Sequence, residues 1–175
     1  MRHTVRQLDE RGAFTLIELI AVMVVVAILA AVVTPSFTSA SEAKRGVGAR
    51  LLAVDLNYAR QRALASGVTA WVTIDLGNDQ WTLLEDDPAT PGLTDALTLE
   101  KVTGVGPWIV DLDAMGLDGV DLTAANFDGG VSVGFDWLGK PRTTAGGALA
   151  ADGVVTFAGG HTVVVRADGG VVETP

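Results

Sequence analysis

The chain has 175 residues, of which 49% are apolar and 19% charged, and its formal net charge is −9. The absence of cysteine excludes disulfide scaffolds, zinc ribbons and thiol chemistry. The acidic excess argues against a general nucleic-acid-binding protein, because neutralising phosphates requires clustered lysine and arginine. A mean hydropathy of +0.38 beside so many carboxylates indicates that one segment is strongly apolar.

That apolar segment spans residues 14–33, twenty residues whose only polar members are Thr15 and Glu18. At a rise of about 1.5 Å per residue, a helix of this length would be about 30 Å long, which matches the hydrocarbon core of a bilayer. Residues 1–13 carry three arginines against two carboxylates. The positive-inside rule would keep those residues in the cytoplasm and place the bulk of the chain across the membrane.

Two simpler interpretations of this N-terminus compete. A secretory signal peptide has a shorter apolar region, of about 7–15 residues, followed by a small-residue cleavage site. An ordinary single-pass anchor requires no further motif. The length of the run and the position of Glu18 inside it argue against the signal peptide.

Glu18 is the one carboxylate inside the apolar run. An acidic side chain costs roughly 2.5–3.5 kcal/mol at the centre of a membrane helix and less near an end, so the charge is tolerated but favours a cationic partner. A chain cut directly before Phe14 would supply that cation as a new amino group, on the same chain or on a neighbouring subunit. The alternative is a glutamate that snorkels to the surface and has no further role.

Residues 12–20, with the sequence GAFTLIELI, resemble the leader and cleavage site of type IV prepilins and type II secretion pseudopilins. The resemblance implies that a prepilin peptidase cuts between Ala13 and Phe14 and that Phe14 is N-methylated. It also implies that Glu18 is the carboxylate used in assembly. Because Ala13 stands where the family usually has glycine, cleavage after Gly12 is the alternative.

Beyond the apolar run, Pro35 resembles the helix-bending proline of pilins, and a second helical stretch is predicted from about residue 37 to residue 66. We expect an apolar stripe at helical spacing to pack on the sheet of the same domain, with most charged residues, Asp55 among them, off that stripe. Gly67 is predicted to end the helix. The stripe consists of Val47, Leu51, Val54 and Tyr58.

Strand patterns follow the helix. Alternating polarity over residues 68–76 predicts a half-buried strand, with Val72 and Ile74 on one face and Trp71 on the other. Residues 77–79 predict a turn and residues 80–84 the returning strand of a hairpin. Glycine and aspartate turns separate further strands, predicted near residues 97–102, 108–112, 131–136, 154–157 and 161–166.

This order of elements resembles the H-type minor pseudopilins and the FimT-like minor pilins. The residues that carry the resemblance are the helical segment 59–63, the strand end from Phe135 through Gly139 to Pro141, and a closing hairpin over residues 163–172. It implies a pilin-like α+β fold, in which a long N-terminal transmembrane helix precedes an antiparallel β-sheet domain. The predicted divisions are a cytoplasmic leader at 1–13, a transmembrane and assembly helix at 14–34, an amphipathic continuation of the helix at 35–66 and a β head domain at 67–175.

Charge bears on the choice between these two groups. Residues 70–175 carry four basic and sixteen acidic side chains, a net charge of −12, and such a surface repels DNA. DNA-uptake pilins of the FimT kind are expected to have arginine beside the C-terminal glycine turn, whereas this chain has valine and glutamate over residues 171–173. We therefore expect no nucleic-acid partner.

The residues suggest no catalytic or cofactor site. His161 is the only histidine beyond the leader, so a metal cluster and a serine–histidine–aspartate triad both lack parts. Asp111 and Asp113 begin like a calcium loop, but Met115 and Leu122 stand at ligand positions. A solvated acidic loop is the expectation, and calcium binding is the alternative.

The resemblance implies a minor pseudopilin of a type II secretion-like machine, and not an enzyme. We expect a single-pass protein of the bacterial inner membrane with its head on the periplasmic side. The expected partners are prepilin peptidase, other pseudopilins or pilins, the inner-membrane assembly platform and membrane lipid. Two alternatives stay open, a FimT-like minor pilin of pilus biogenesis or DNA uptake and an anchored binding module that does not polymerise.

Overall fold

A computed structural model of the chain describes residues 15–101, 104 and 106–175, with the backbone alone at residues 31–40. The chain divides into two compact units, residues 1–39 and residues 40–175. The described part of the first unit is the N-terminal portion of a helix, α1 (Leu16–Ser66). The second unit contains the rest of α1 and all the described strands.

The strands that follow α1 are short and form two antiparallel sheets. In the first sheet the order is β3-β2-β1-β6-β7, with β4 also paired to β2, and in the second it is β10-β9-β8-β5. A 3₁₀ turn at Leu93–Asp95 precedes β3. The strands are β1 (Ala70–Asp75), β2 (Gln80–Glu85), β3 (Leu97–Thr98), β4 (Ile109–Asp111), β5 (Leu122–Asn126), β6 (Ser132–Phe135), β7 (Pro141–Arg142), β8 (Gly153–Phe157), β9 (Thr162–Val165) and β10 (Val172–Glu173).

The predicted hairpin is confirmed as the β1–β2 pair, in which Ala70 lies opposite Glu85 and Asp75 opposite Gln80. The closing hairpin is confirmed as β9–β10, in which Val165 lies opposite Val172. Strands are also present within the other predicted ranges, although Val102 lies outside the described residues. The sequence predicts no strand at β5, because three of its five residues are alanine or asparagine, whereas β-branched and aromatic residues are typical of strands.

The end of α1 is set by Gly67, as predicted. Its φ of +74° lies in the left-handed region, which glycine adopts without a steric penalty. Its N–H donates to the carbonyl of Ala63 at 2.9 Å, which satisfies one of the last free carbonyls of the helix. The chain can then turn directly into β1.

The buried face of α1 is not the predicted stripe. Val47 and Val54 are 44% and 64% exposed, and Leu51 and Tyr58 are only half-buried. Leu51 and Tyr58 pack partly against the core, but the fully buried side chains lie on the other side of the helix and also recur at helical spacing. The alanines among them let the helix backbone approach the strands closely, while the leucines fill the space between. The buried stripe consists of Ala49, Leu52, Leu56, Ala59 and Ala63.

Trp71 departs from the predicted half-buried strand. It lies on the face of β1 opposite Val72, as predicted, yet it is buried. Its ring lies against Gly134 of the neighbouring strand β6, where a Cβ atom would be 2.6 Å from the ring, and its indole N–H donates to the buried carboxylate of Asp86. A glycine on the adjacent strand thus provides the space that buries this tryptophan.

Gly134→Ala is expected to destabilise the protein by about 1–3 kcal/mol, since the new methyl group would overlap the Trp71 ring. The measurement is the urea midpoint of the full chain in detergent, followed by tryptophan fluorescence. Gly147→Ala is the matched control, because its Cβ would meet only the Thr143 hydroxyl at an ordinary 3.6 Å. Equal midpoints for the two variants would contradict the packing argument.

Candidate functional site

Apart from the exposed carboxylate of Glu18, the N-terminal portion of α1 presents an apolar surface on all sides. Every residue from Leu16 to Ala30 is exposed, and the large apolar side chains among them expose between 50% and 77% of their surface. A helix that is apolar all round is not stable as a water-facing element, so this segment requires a cover from lipid or from other protein. It is the candidate functional site.

Thr15 and Glu18 form the start of this helix. The N–H of Glu18 donates to the Thr15 hydroxyl at 3.3 Å and to the Thr15 carbonyl at 3.0 Å. Threonine before the first helical residue and glutamate three positions later are the sequence of a capping box. The exposed Glu18 carboxylate also lies in the first turn, where the helix dipole favours negative charge. Glu18 therefore has a local structural role beside the assembly role predicted for it.

Several predicted site residues lie outside the described part of the chain. They are the leader at 1–13, including Gly12 and Ala13 at the two cleavage positions, and Phe14. Pro35 lies within α1, whose backbone is helical on both sides of it, and the bend there stays a prediction. Within the residues that the structure describes, no helix has both the length and the apolarity that crossing a membrane requires.

The acidic loop at Asp111 and Asp113 is held by hydrogen bonds to N–H groups of its own backbone. The Asp111 carboxylate accepts the N–H of Ala114 at 3.0 Å, and the Asp113 carbonyl accepts the N–H of Gly116. Across the described ranges, no three histidine, aspartate or glutamate side chains are grouped so that they could hold a metal ion. His161 instead contacts the Glu42 carboxylate of α1 at 3.0 Å.

A buried carboxylate is the main feature that the sequence interpretation missed. Asp55, expected among the charged residues off the packing stripe, is buried on the inner face of α1, and its Oδ2 accepts the indole N–H of Trp81 at 2.7 Å. Burial raises the pKa of Asp55, although hydrogen bonds from Trp81 and Trp108 oppose the shift. The available signal was its spacing, since Asp55 lies three residues after Leu52 on the stripe that is actually buried.

The strand end between Phe135 and Pro141 is organised around Asp136. Its Oδ1 accepts the N–H groups of Leu138 and Lys140, each at 2.9 Å, and its Oδ2 accepts Nη2 of Arg142 at 2.6 Å. Burial raises the pKa of Asp136, but these three donors together outweigh that effect and hold the pKa below its ordinary value. The turn is thus fixed by an ionised, fully bonded carboxylate.

Asp136→Asn is expected to weaken the acid dependence of stability. A folded-state pKa below the unfolded value means that ionised Asp136 stabilises the protein above the unfolded pKa of about 3.9, and that this contribution is lost as pH falls through the folded pKa. The variant should lose about 1–3 kcal/mol at pH 7 and show a shallower decline below about pH 4. Urea midpoints between pH 2 and pH 7 test this. Asp168→Asn, at an exposed site, is the control, and a decline as steep as that of the native chain would contradict the role given to Asp136.

Known proteins resemble this chain in two respects, its N-terminal motif and its fold. Residues 10–34 match the prokaryotic N-terminal methylation motif. The minor pseudopilin EpsH from the type 2 secretion system of Vibrio cholerae has a similar structure, with a TM-score of 0.53 at 12% sequence identity, over 75% of this chain and 96% of that chain. No curated protein matches the sequence.

The resemblance predicted from residues 12–20 is confirmed by the motif match, and the predicted α+β class by the fold. The chain has a pilin-like fold, in which an N-terminal helix precedes antiparallel sheets. At 12% identity the likeness to EpsH establishes the fold alone.

Proposed function

We propose that the protein is a minor pseudopilin of a type II secretion-like machine, placed within or at the tip of a short periplasmic pseudopilus. One observation carries the proposal: the methylation motif at residues 10–34 is joined to a pilin-like head whose fold is similar to that of a minor pseudopilin. The role is assembly and not catalysis. Its partners are prepilin peptidase, other pilin-like subunits, the inner-membrane assembly platform and lipid.

The apolar surface of α1 supports a change of environment during assembly. In the precursor, residues 14–33 span the inner membrane, with the leader in the cytoplasm and the head on the periplasmic side. In the pseudopilus, neighbouring apolar helices replace the lipid tails. Because a bundle of such apolar helices is about as apolar as lipid tails, the exchange exposes none of this surface to water. The exposure of every residue from Leu16 to Ala30 is what such an exchange requires.

The charge of Glu18 selects how neighbouring helices are positioned in the pseudopilus. Cleavage between Ala13 and Phe14 creates an amino group, which remains cationic after methylation. In a bundle of apolar helices, that group and a Glu18 carboxylate of an adjacent subunit neutralise each other. The low dielectric penalises either charge alone, so subunits that bring the two together are favoured over other stacking positions.

Mass spectrometry of the mature N-terminus, on protein purified from cells that contain a prepilin peptidase, tests the proposal. The expected product begins with N-methylated Phe14, and the same chain from cells lacking the peptidase should keep Met1. A product that begins with Ala13 would move the cut to Gly12 and leave the pathway intact. A mature terminus near Ser41, or an intact Met1 in the presence of the peptidase, would overturn the assignment.

A further inference from the structure

Two large apolar side chains are held in solvent at one edge of the first sheet. Trp137, 62% exposed, and Leu138 lie on the turn between β6 and β7, and we call this pair the knob. The turn is rigid, because Asp136 accepts the N–H groups of Leu138 and Lys140, and Gly139 donates to the Asp136 carbonyl at 2.7 Å. Arg60 of α1 donates to the Gly139 carbonyl at 3.1 Å and fixes the turn from below. Exposed tryptophan on a preorganised backbone is typical of a binding hot spot.

The opposite edge of the same sheet carries a depression, which we call the β3 pocket. Its volume is about 360 Å³, within the range of binding pockets, and its lining is mainly apolar. Val68, Pro88, Leu97 and Leu99 supply the apolar surface, and Leu97 is strongly exposed. The polar lining includes three carboxylates and a single arginine, Arg62, which is paired with Glu85.

The knob and the pocket both offer apolar surface, and the exposed charges beside them have opposite signs. The exposed cation Lys140 adjoins the knob, and Arg60 lies beneath it. At the pocket, Glu85 is bound by Arg62 and Asp86 by the Trp71 indole, while Glu100 is exposed at the rim. A cation beside an apolar projection and an exposed carboxylate beside an apolar depression favour docking of one on the other.

The register of the sheet places the strand ends beside the two features at the same level. Leu97 pairs with Glu85, Glu85 with Ala70, Ala70 with Phe135, and Phe135 with Pro141. Four strand-to-strand steps of about 4.8 Å therefore separate them, roughly 19 Å, so the knob cannot reach the pocket of its own chain. A second copy beside the first, however, would bring its knob to that pocket without a change of level.

We propose that the knob of one copy docks in the β3 pocket of a second copy, so that heads associate edge to edge. The contact is heterologous, since different surfaces of the two copies meet, and it can repeat along a row. This inference goes beyond the proposed function, because an unprocessed precursor would make the same contact. Because the heads of both copies carry a net charge of −12 over residues 70–175, the contact depends on the local pairing of Lys140 with Glu100.

Cysteine crosslinking tests the contact, since the native chain contains no cysteine. Leu138→Cys and Leu97→Cys variants with different tags are produced together, and the membranes are treated with a short bis-maleimide. We expect a mixed dimer to form at least tenfold faster than between Leu138→Cys and Met115→Cys, an exposed control position elsewhere on the head. Neither single variant should crosslink to itself, because the contact brings position 138 of one copy to position 97 of the other and never brings two like positions together.

Further substitutions separate docking from chance collision. Trp137→Ala in the Leu138→Cys chain should slow the mixed crosslink at least tenfold. Lys140→Glu in that chain should also slow it, and Glu100→Lys in the Leu97→Cys chain should restore it. A fluorescent maleimide establishes that each cysteine reacts.

Three results would overturn the proposal: no mixed dimer from reactive cysteines, a dimer of Leu138→Cys with itself, or crosslinking of Leu138→Cys only to a different protein. The same crosslink in cells lacking the prepilin peptidase distinguishes this contact from the assembly pathway. That pathway is read separately from the mature N-terminus.

Discussion

Replacing Glu18 with alanine is expected to leave the head folded and the N-terminus processed, while incorporation into the pseudopilus falls about a hundredfold or more. The physical reason is the amino group of the neighbouring Phe14, which would be left without a counter-charge among apolar helices. Removing one partner of a buried ion pair costs about 3–5 kcal/mol, and each 1.4 kcal/mol is a factor of ten. The measurement is the fraction of the protein that crosslinks to other pilin-like subunits in isolated membranes, relative to the total protein.

Glu18→Gln separates the two roles of this residue. Glutamine also serves at the third position of a capping box, so the variant keeps a side chain that suits the helix start seen at Thr15 and removes only the charge. If the charge drives assembly, the glutamine variant should be as deficient as the alanine variant. Normal incorporation of Glu18→Gln would reduce Glu18 to a capping residue. Glu42→Ala, which removes an exposed carboxylate farther along α1, is the control.

Asp55→Ala should lower the free energy of unfolding by roughly 2–4 kcal/mol, because the substitution leaves the indole N–H of the fully buried Trp81 without its acceptor and opens a cavity. Urea denaturation of the full chain, followed by tryptophan fluorescence, measures the loss. Asp113→Ala, on the exposed acidic loop, should change the midpoint little. Equal losses for the two variants would contradict a special role for Asp55.

The pH dependence of Asp55 has the opposite sign to that of Asp136. Burial raises the folded-state pKa of Asp55 above the unfolded value. The protonated carboxyl therefore stabilises the fold fully below the unfolded pKa, and this stabilisation is lost as pH rises through the folded pKa. Asp55→Asn cannot ionise and should lack this decline, while its amide oxygen can still accept the Trp81 N–H. The variant should therefore be closer to native stability at pH 7 than Asp55→Ala is.

Local sequence patterns predicted where the helix and strands lie better than which side of each is buried. Glycine at position 67 and strict alternation over residues 68–76 located the helix end and the first strand. The packing face of α1 was wrong because two stripes share helical spacing, and only the sheet decides between bulky valines and small alanines. The stripe predicted from helical spacing includes Val47 and Val54, which the structure leaves exposed, and Leu51 and Tyr58, which are half-buried against the core.

In the candidate site too, features contiguous in sequence could be predicted, whereas contacts between distant residues could not. The motif around Phe14 and Glu18 is contiguous in sequence, so it could be recognised without a fold. The acceptor role of Asp55 depends on Trp81, 26 residues away, and the burial of Trp71 depends on Gly134 of a non-consecutive strand. Such pairs are created by strand order, which local periodicity does not contain.

The helix cap formed by Thr15 would be retained in the mature protein. Both residues that shape the helix start lie after the proposed cut, so cleavage before Phe14 removes nothing that this helix end requires. The proposed cleavage would place a positive charge beside the positive end of the helix dipole, where a cation is disfavoured. The mature subunit would then carry an amine that its own helix disfavours, and a carboxylate on a neighbouring helix would stabilise that amine.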